Sequence, residues 1–178
     1  MTNDIIISGF GGQGVMAIGK TLTEAGMKEG KEVSWLPSYG PEMRGGTANC
    51  CVVLSDELIV SPIVLEPSEL IAMNLPSLIK FEPTVKKGGT IFVNSSVITE
   101  KVTRTDVRAI YVDCIKTAEE LGNSKVANMV MLGAYIEAMK NLSTETIKEM
   151  LVHMFTGPKA KLVDLNIEAL KRGAAFVK

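Results

Sequence analysis

Apolar and polar residues change rhythm along this chain. Residues 4–8 (Asp-Ile-Ile-Ile-Ser) form a short β-branched run, which is how a strand buried on both faces reads. Glycines follow at positions 9, 11, 12 and 14. Beyond them Val15, Ile18, Leu22 and Ala25 recur at helical spacing, and Gly30 stands where a helix-ending glycine belongs. Residues 32–36 read as a second strand. The opening is therefore strand, glycine loop, helix, strand: a βαβ unit, with a right-handed parallel crossover expected.

Residues 37–46 hold three glycines and two prolines and read as a long irregular loop. A strand is expected at about 47–54 and a short one at 58–60, paired as an antiparallel hairpin. Further strands are expected at 69–73, 90–94 and 108–113, with a short helix around 76–81. From residue 114 onward only helices are expected, and the first, 115–121, ends at Gly122. The second, 125–140, is apolar nearly all round, the mark of a helix buried on most sides. Ser143 is a good N-cap for a helix over 144–155, and a last amphipathic helix is expected over 159–172 with Gly173 beyond its end. The order predicts an α/β fold: one domain over 1–178, three layers α/β/α, with a mixed, mostly parallel sheet. It has a Rossmann-like glycine-loop start and a helical C-terminal third.

Composition narrows the function. Nineteen basic and twenty acidic residues give a net charge of −1, with no basic cluster to neutralise phosphates, so a dedicated nucleic-acid binder is excluded. One His and three Cys hold a zinc ion only if all four converge, and three thiolates fall short of a [4Fe–4S] cluster. No metal site is expected. Three Cys in 178 residues is a cytosolic level of use, not a disulfide framework. No apolar stretch approaches the ~20 residues that span a bilayer, and the N-terminus lacks a signal-peptide pattern. A cytoplasmic protein without membrane contact is expected.

Two segments carry candidate chemistry. Gly9, Gly11 and Gly14 satisfy GxGxxG between a strand and a helix, where tight turns and free helix N–H groups suit an anion. A dinucleotide site also needs a carboxylate at the end of the second strand, and residues 33–36 (Val-Ser-Trp-Leu) have none. The loop reads as an anion cradle, or as a tight turn with no ligand. Residues 14–21 also fit the P-loop pattern GxxxxGK[ST], with Asp113 as a nominal partner, but residues 15–18 should already be helical and Lys20 solvated. In the loop at 39–46, Arg44 between Met43 and Gly45-Gly46 is free to fork onto a phosphate or carboxylate, and Glu42 can orient it. The bland reading is a structural loop with a surface ion pair. Cys50 and Cys51 point to opposite sheet faces and read as packing, as do Cys114 and the helical His153.

Three motifs together resemble one family: GFGGQGV at 9–15, PSYGPEMRGG at 37–46 and VANMVMLGA at 126–134. They are similar to the gamma subunit of the 2-oxoacid:ferredoxin oxidoreductases, over essentially the whole chain. The version of the second motif leans toward the 2-oxoglutarate and branched-chain members. The resemblance implies a complex that converts a 2-oxoacid and coenzyme A to acyl-CoA and CO2 and passes electrons to ferredoxin. It implies alpha and beta catalytic subunits and a ferredoxin-like delta subunit as partners. Thiamine diphosphate, magnesium and [4Fe–4S] clusters would sit on those partners, and no residue of this chain would be catalytic. By the same resemblance Gly11, Gly12, Gln13, Gly14, Tyr39, Glu42, Arg44, Gly45 and Gly46 would line the coenzyme A site or its junction with the catalytic subunits. Asn128 would support that junction. Two rivals stay open here: an independent nucleotide-binding enzyme using Gly9–Gly14 or Gly14–Thr21, and a sensor or scaffold of the same fold.

Overall fold

A computed structural model describes residues 1–38 and 47–177. Six strands form one mixed sheet: β1 (Thr2–Phe10), β2 (Glu32–Ser38), β3 (Thr47–Ser55), β4 (Glu69–Ala72), β5 (Thr90–Asn94) and β6 (Arg108–Val112). Their spatial order is β2-β3-β1-β4-β5-β6. The run β1-β4-β5-β6 is parallel, while β3 lies antiparallel to both β1 and β2. This corrects two expectations. The second strand runs parallel to the first but is not its neighbour, because β3 is inserted between them. Nor do residues 58–60 form a strand: β3 pairs with β2 instead, and Leu58 and Val60 are 81% and 96% exposed. A run of aliphatic residues becomes a strand only where a neighbouring strand takes up its backbone groups.

Six helices complete the described fold: α1 (Val15–Lys28), α2 (Leu75–Phe81), α3 (Cys114–Glu120), α4 (Ala127–Met139), α5 (Thr144–Met154) and α6 (Val163–Ala174). Gly30, at φ +77°, ends α1 as expected: its N–H donates to the Met27 carbonyl and that of Lys31 to the Gly26 carbonyl. Ser143 caps α5 by accepting from the Glu145 N–H. The last helix starts later than expected, after a 3-10 turn at Gly157–Leu162, and Gly173 lies inside it. Gly173 is there for packing. A Cβ on it would stand 1.8 Å from the Val130 carbonyl of α4, and one on Gly133 would stand 2.0 Å from the Leu170 carbonyl of α6. The two helices touch backbone to backbone through reciprocal glycines.

Strand side chains alternate between two cores. Ile5, Ile7, Ile71 and Phe92 face α1 and α3–α6, whereas Ile6, Leu70, Ile91 and Val93 face α2 and the irregular segments around residues 57–66 and 95–107. The first face explains why α4 is apolar all round. It lies between the sheet and α6, so Met129 through Ile136 are buried, and Tyr135 meets Phe92 at 5.4 Å between ring centroids.

Candidate functional site

The carboxyl ends of β1, β4 and β5 are stitched together by two side chains and one carbonyl. Gln13 Oε1 accepts from the Phe10 N–H at 2.7 Å, and Gln13 Nε2 donates to the Met73 carbonyl at 3.0 Å. Asn94 Nδ2, at the end of β5, donates to the same carbonyl at 3.2 Å. Gly9 makes room for this knot, since a Cβ there would stand 2.7 Å from Gln13 Oε1. Gly12 (φ +91°) and Gly14 (φ +76°) carry the chain through left-handed conformations into α1.

Gly14 is also a point of close approach. A Cβ on it would fall 2.5 Å from Asn128 Nδ2, in the first turn of α4. The N-termini of α1 and α4 therefore meet at Gly14 and Asn128. Neither has a side-chain cap and neither carries an acidic residue in its first turn. The first N–H groups of α1 lack intrahelical acceptors, whereas α4 continues from a 3-10 turn at Ser124–Val126, in which Asn123 Oδ1 accepts from the Lys125 N–H and the Ser124 carbonyl from the Ala127 N–H; both helix dipoles present positive ends. A cavity of about 620 Å³ opens beside them, with Gly12, Gln13 and Gly14 on one wall and Ala127 and Asn128 on the other. Met73 and Asn94 also line it, and Lys125 and Glu119 supply its charges. A smaller opening of about 240 Å³, lined by Gly11 and Ala48 among others, lies where the glycine loop meets the start of β3.

The structure thus gathers Gly12, Gln13, Gly14 and Asn128 at the larger cavity, and Gly11 at the smaller opening with Gly12 and Gly14. Tyr39, Glu42, Arg44, Gly45 and Gly46 lie outside the described residues. The strand ends that flank them sit at this end of the sheet: Thr47 pairs with Phe10 of the glycine loop, and Ser38 pairs with Asn49. Sequence reasoning missed Asn94, which is fully buried. Its signal was an amide closing an otherwise apolar strand that points at the site.

The other candidates resolve plainly. Val15 opens α1 and Lys20 lies on its surface within 3.6 Å of Glu24, so the GxxxxGK match is helix, not phosphate loop. Asp113 accepts from the Ser96 hydroxyl. Cys50 and Cys51 face opposite cores, and burial pushes the Cys50 thiol up to about 12. Burial raises the Cys114 thiol further, so neither buried sulfur is a ready nucleophile or ligand. His153 is exposed. Among the described residues no three His, Cys, Asp or Glu cluster as a metal site, and no helix is long and apolar enough to cross a membrane.

Comparison with known proteins fits this geometry. Residues 4–176 match the family model described as pyruvate ferredoxin/flavodoxin oxidoreductase. The chain is 41% identical over 173 residues to ketoisovalerate oxidoreductase subunit VorA of Methanothermobacter thermautotrophicus. That match covers 97% of this chain but 36% of the relative, so the chain spans about a third of that relative's length. A keto/oxoacid ferredoxin oxidoreductase gamma subunit from Geobacter sulfurreducens superposes with a TM-score of 0.83 at 30% identity, covering 98% of both chains. The 2-oxoglutarate:ferredoxin oxidoreductase from Magnetococcus marinus, solved with 2-oxoglutarate, coenzyme A and succinyl-CoA bound, superposes at 0.89 and 25% identity. It covers 99% of this chain and 31% of the other.

Proposed function

Because the chain belongs to the pyruvate ferredoxin/flavodoxin oxidoreductase family, we propose that it is the gamma subunit of a 2-oxoacid:ferredoxin oxidoreductase. The complex would take a 2-oxoacid, coenzyme A and oxidised ferredoxin to acyl-CoA, CO2 and reduced ferredoxin. The resemblance to ketoisovalerate and 2-oxoglutarate enzymes favours a branched-chain 2-oxoacid or 2-oxoglutarate. Thiamine diphosphate, magnesium and [4Fe–4S] clusters belong, on this reading, to alpha, beta and ferredoxin-like delta partners. Carbon–carbon cleavage and electron transfer then fall to those chains. The inert, buried thiols of this one fit that division.

The role left to this chain is to hold coenzyme A against the catalytic subunits. One observation carries it: the uncapped N-terminus of α1, with the positive end of α4 beside it, faces a 620 Å³ cavity behind a glycine loop. Coenzyme A brings a diphosphate and a 3′-phosphate, the groups that helix N–H groups and an arginine guanidinium receive. Gly11, Gly12, Gln13 and Gly14 would contact the phosphates, with Tyr39, Glu42, Arg44, Gly45 and Gly46 closing from the neighbouring loop.

The test is steady-state kinetics of the assembled enzyme. Arg44→Ala should raise KM for coenzyme A by about 10–100-fold, the worth of one charge-assisted hydrogen bond, while the subunits still co-purify. An unchanged KM removes Arg44 from the site. Purification of the chain from its native source as a colourless homodimer, without an iron-containing complex, overturns the reading as a whole.

A further inference from the structure

The connection between β3 and β4 has an unusual surface. Over residues 57–66 (Glu-Leu-Ile-Val-Ser-Pro-Ile-Val-Leu-Glu) the chain crosses one sheet face without regular structure. Ile59 and Val64 turn inward onto the core of that face. Leu58, Val60, Ile63 and Leu65 turn outward, at 81%, 96%, 62% and 77% exposure. Surface connections are ordinarily polar, and contiguous exposed aliphatic residues mark an interaction surface. Leu36 of β2 adds to it: it is 42% exposed and pairs with Cys51, which packs on the same core. At roughly 60–120 Å² of apolar area per side chain, these residues offer roughly 400 Å². That is about half of the ~800 Å² that each partner gives to a standard interface, a usual apolar share.

Charge chooses between possible occupants. Glu57 and Glu66 bound the strap at its two ends, and neither forms an ion pair among the described residues. If two copies paired strap to strap about a two-fold axis, Glu57 of one would lie near Glu66 of the other, and like charges would meet at both ends. A different chain, apolar at the centre and basic at the rim, fits without that conflict. The comparisons supply a candidate for such a chain. The Methanothermobacter and Magnetococcus relatives carry this domain as 36% and 31% of longer chains, so in them further polypeptide accompanies it.

We propose that the strap at residues 57–66, with Leu36, is the docking face for the catalytic polypeptide, the counterpart of the remaining length of those relatives. The proposal rests on the reading of this chain as a subunit of an oxidoreductase. It adds a second contact to the one at the coenzyme A cavity, since none of the outward strap residues lines that cavity.

The test uses tagged full-length chain, produced in the native source and isolated with what it binds. The doubly substituted chain Val60→Asp, Leu65→Asp is compared with wild type and with Val152→Asp, a substitution at an exposed position on α5. The bound polypeptide is identified by its mass, its thiamine diphosphate content and its coenzyme A-dependent 2-oxoacid oxidation. Two unpaired charges in a dry contact should cut its recovery by roughly 100-fold or more, with the melting temperature of the tagged chain unchanged. Val152→Asp should recover it as wild type does. Recovery by the double variant at the wild-type ratio overturns the docking face and leaves the functional reading standing. A wild-type homodimer that the double variant abolishes makes a second copy the occupant and overturns the proposal. Wild-type chain that brings no such polypeptide overturns the functional reading, and the docking face with it.

Discussion

On one face of the sheet, five helices in two ranks seal a large apolar core. On the other, a seven-residue helix and two irregular segments cover a smaller one. The strands serve both faces equally, since their side chains alternate. The difference lies in what covers them. Helices satisfy their own backbone groups, so they can be stacked two deep, and α4 lies with protein on every side. Irregular chain cannot be buried that way without stranding its N–H and C=O groups, so it stays at the surface. A face built from irregular chain keeps its outermost apolar residues in water unless another molecule covers them. The two faces thus teach a division: one is finished by the chain itself, the other is not.

The largest expected effect tests that division directly. Leu22→Ala on α1 removes a fully buried side chain from the helical face and should cost about 4 kcal/mol. Leu70→Ala, on β4 beneath the less regular cover, should cost about 2 kcal/mol, because loosely held chain can settle into the space. Equilibrium unfolding in urea gives both values, and equal costs would break the comparison. Next in size, Gly173→Ala must push α6 off the α4 backbone. A loss of about 3 kcal/mol is expected, roughly 10 °C in melting temperature. A drop under 2 °C would show that the helix pair is not tightly seated.

The last prediction concerns how dry the helical face is. Glu69, at the start of β4, is 3% exposed and lies on the same side as Ile71. Its Oε1 accepts from Asn3 Nδ2 at 3.0 Å, and its Oε2 has no partner. Burial pushes its carboxyl up to about 7. The folded state then holds this proton more tightly than the unfolded state, so stability is full below the ordinary glutamate range and falls as pH rises toward 7. The fall should be at most about 3 kcal/mol between pH 4.5 and 8. Melting curves should show it in the wild type and lose it in Glu69→Gln, which keeps the acceptor for Asn3. The same slope in both chains would mean that water reaches the carboxyl.

What the sequence made legible was local. β5 spans the expected residues 90–94, around its apolar run at 91–93, and the all-round apolarity of α4 announced a helix with protein on both sides. The glycine loop was legible because a strand, three glycines and a helix stand in immediate succession. Pairing was not legible. Nothing within residues 47–55 says that they slip between β1 and β2, because the partners lie far away along the chain. Residues 58–60 look like strand for the same reason that they look like interface: both uses ask for aliphatic side chains. Gly173 was read as a helix end, because in sequence a glycine that permits close contact looks like one that permits a turn. At the site, Gln13 and Gly14 stood out, whereas Asn94 had only its place at a strand end to speak for it.

The reciprocal glycines of α4 and α6 have a consequence for how the molecule is made. A ribosome completes α4 more than twenty residues before it reaches α6. Until α6 docks, α4 is a helix with no polar side, half clothed by the sheet and half bare. Any greasy segment nearby can stick to it, and a growing chain has few other defences. Once α6 arrives the two backbones touch and that side of α4 is covered. Folding therefore passes through one vulnerable stage, which ends when Gly173 closes on Val130 and Gly133 on Leu170.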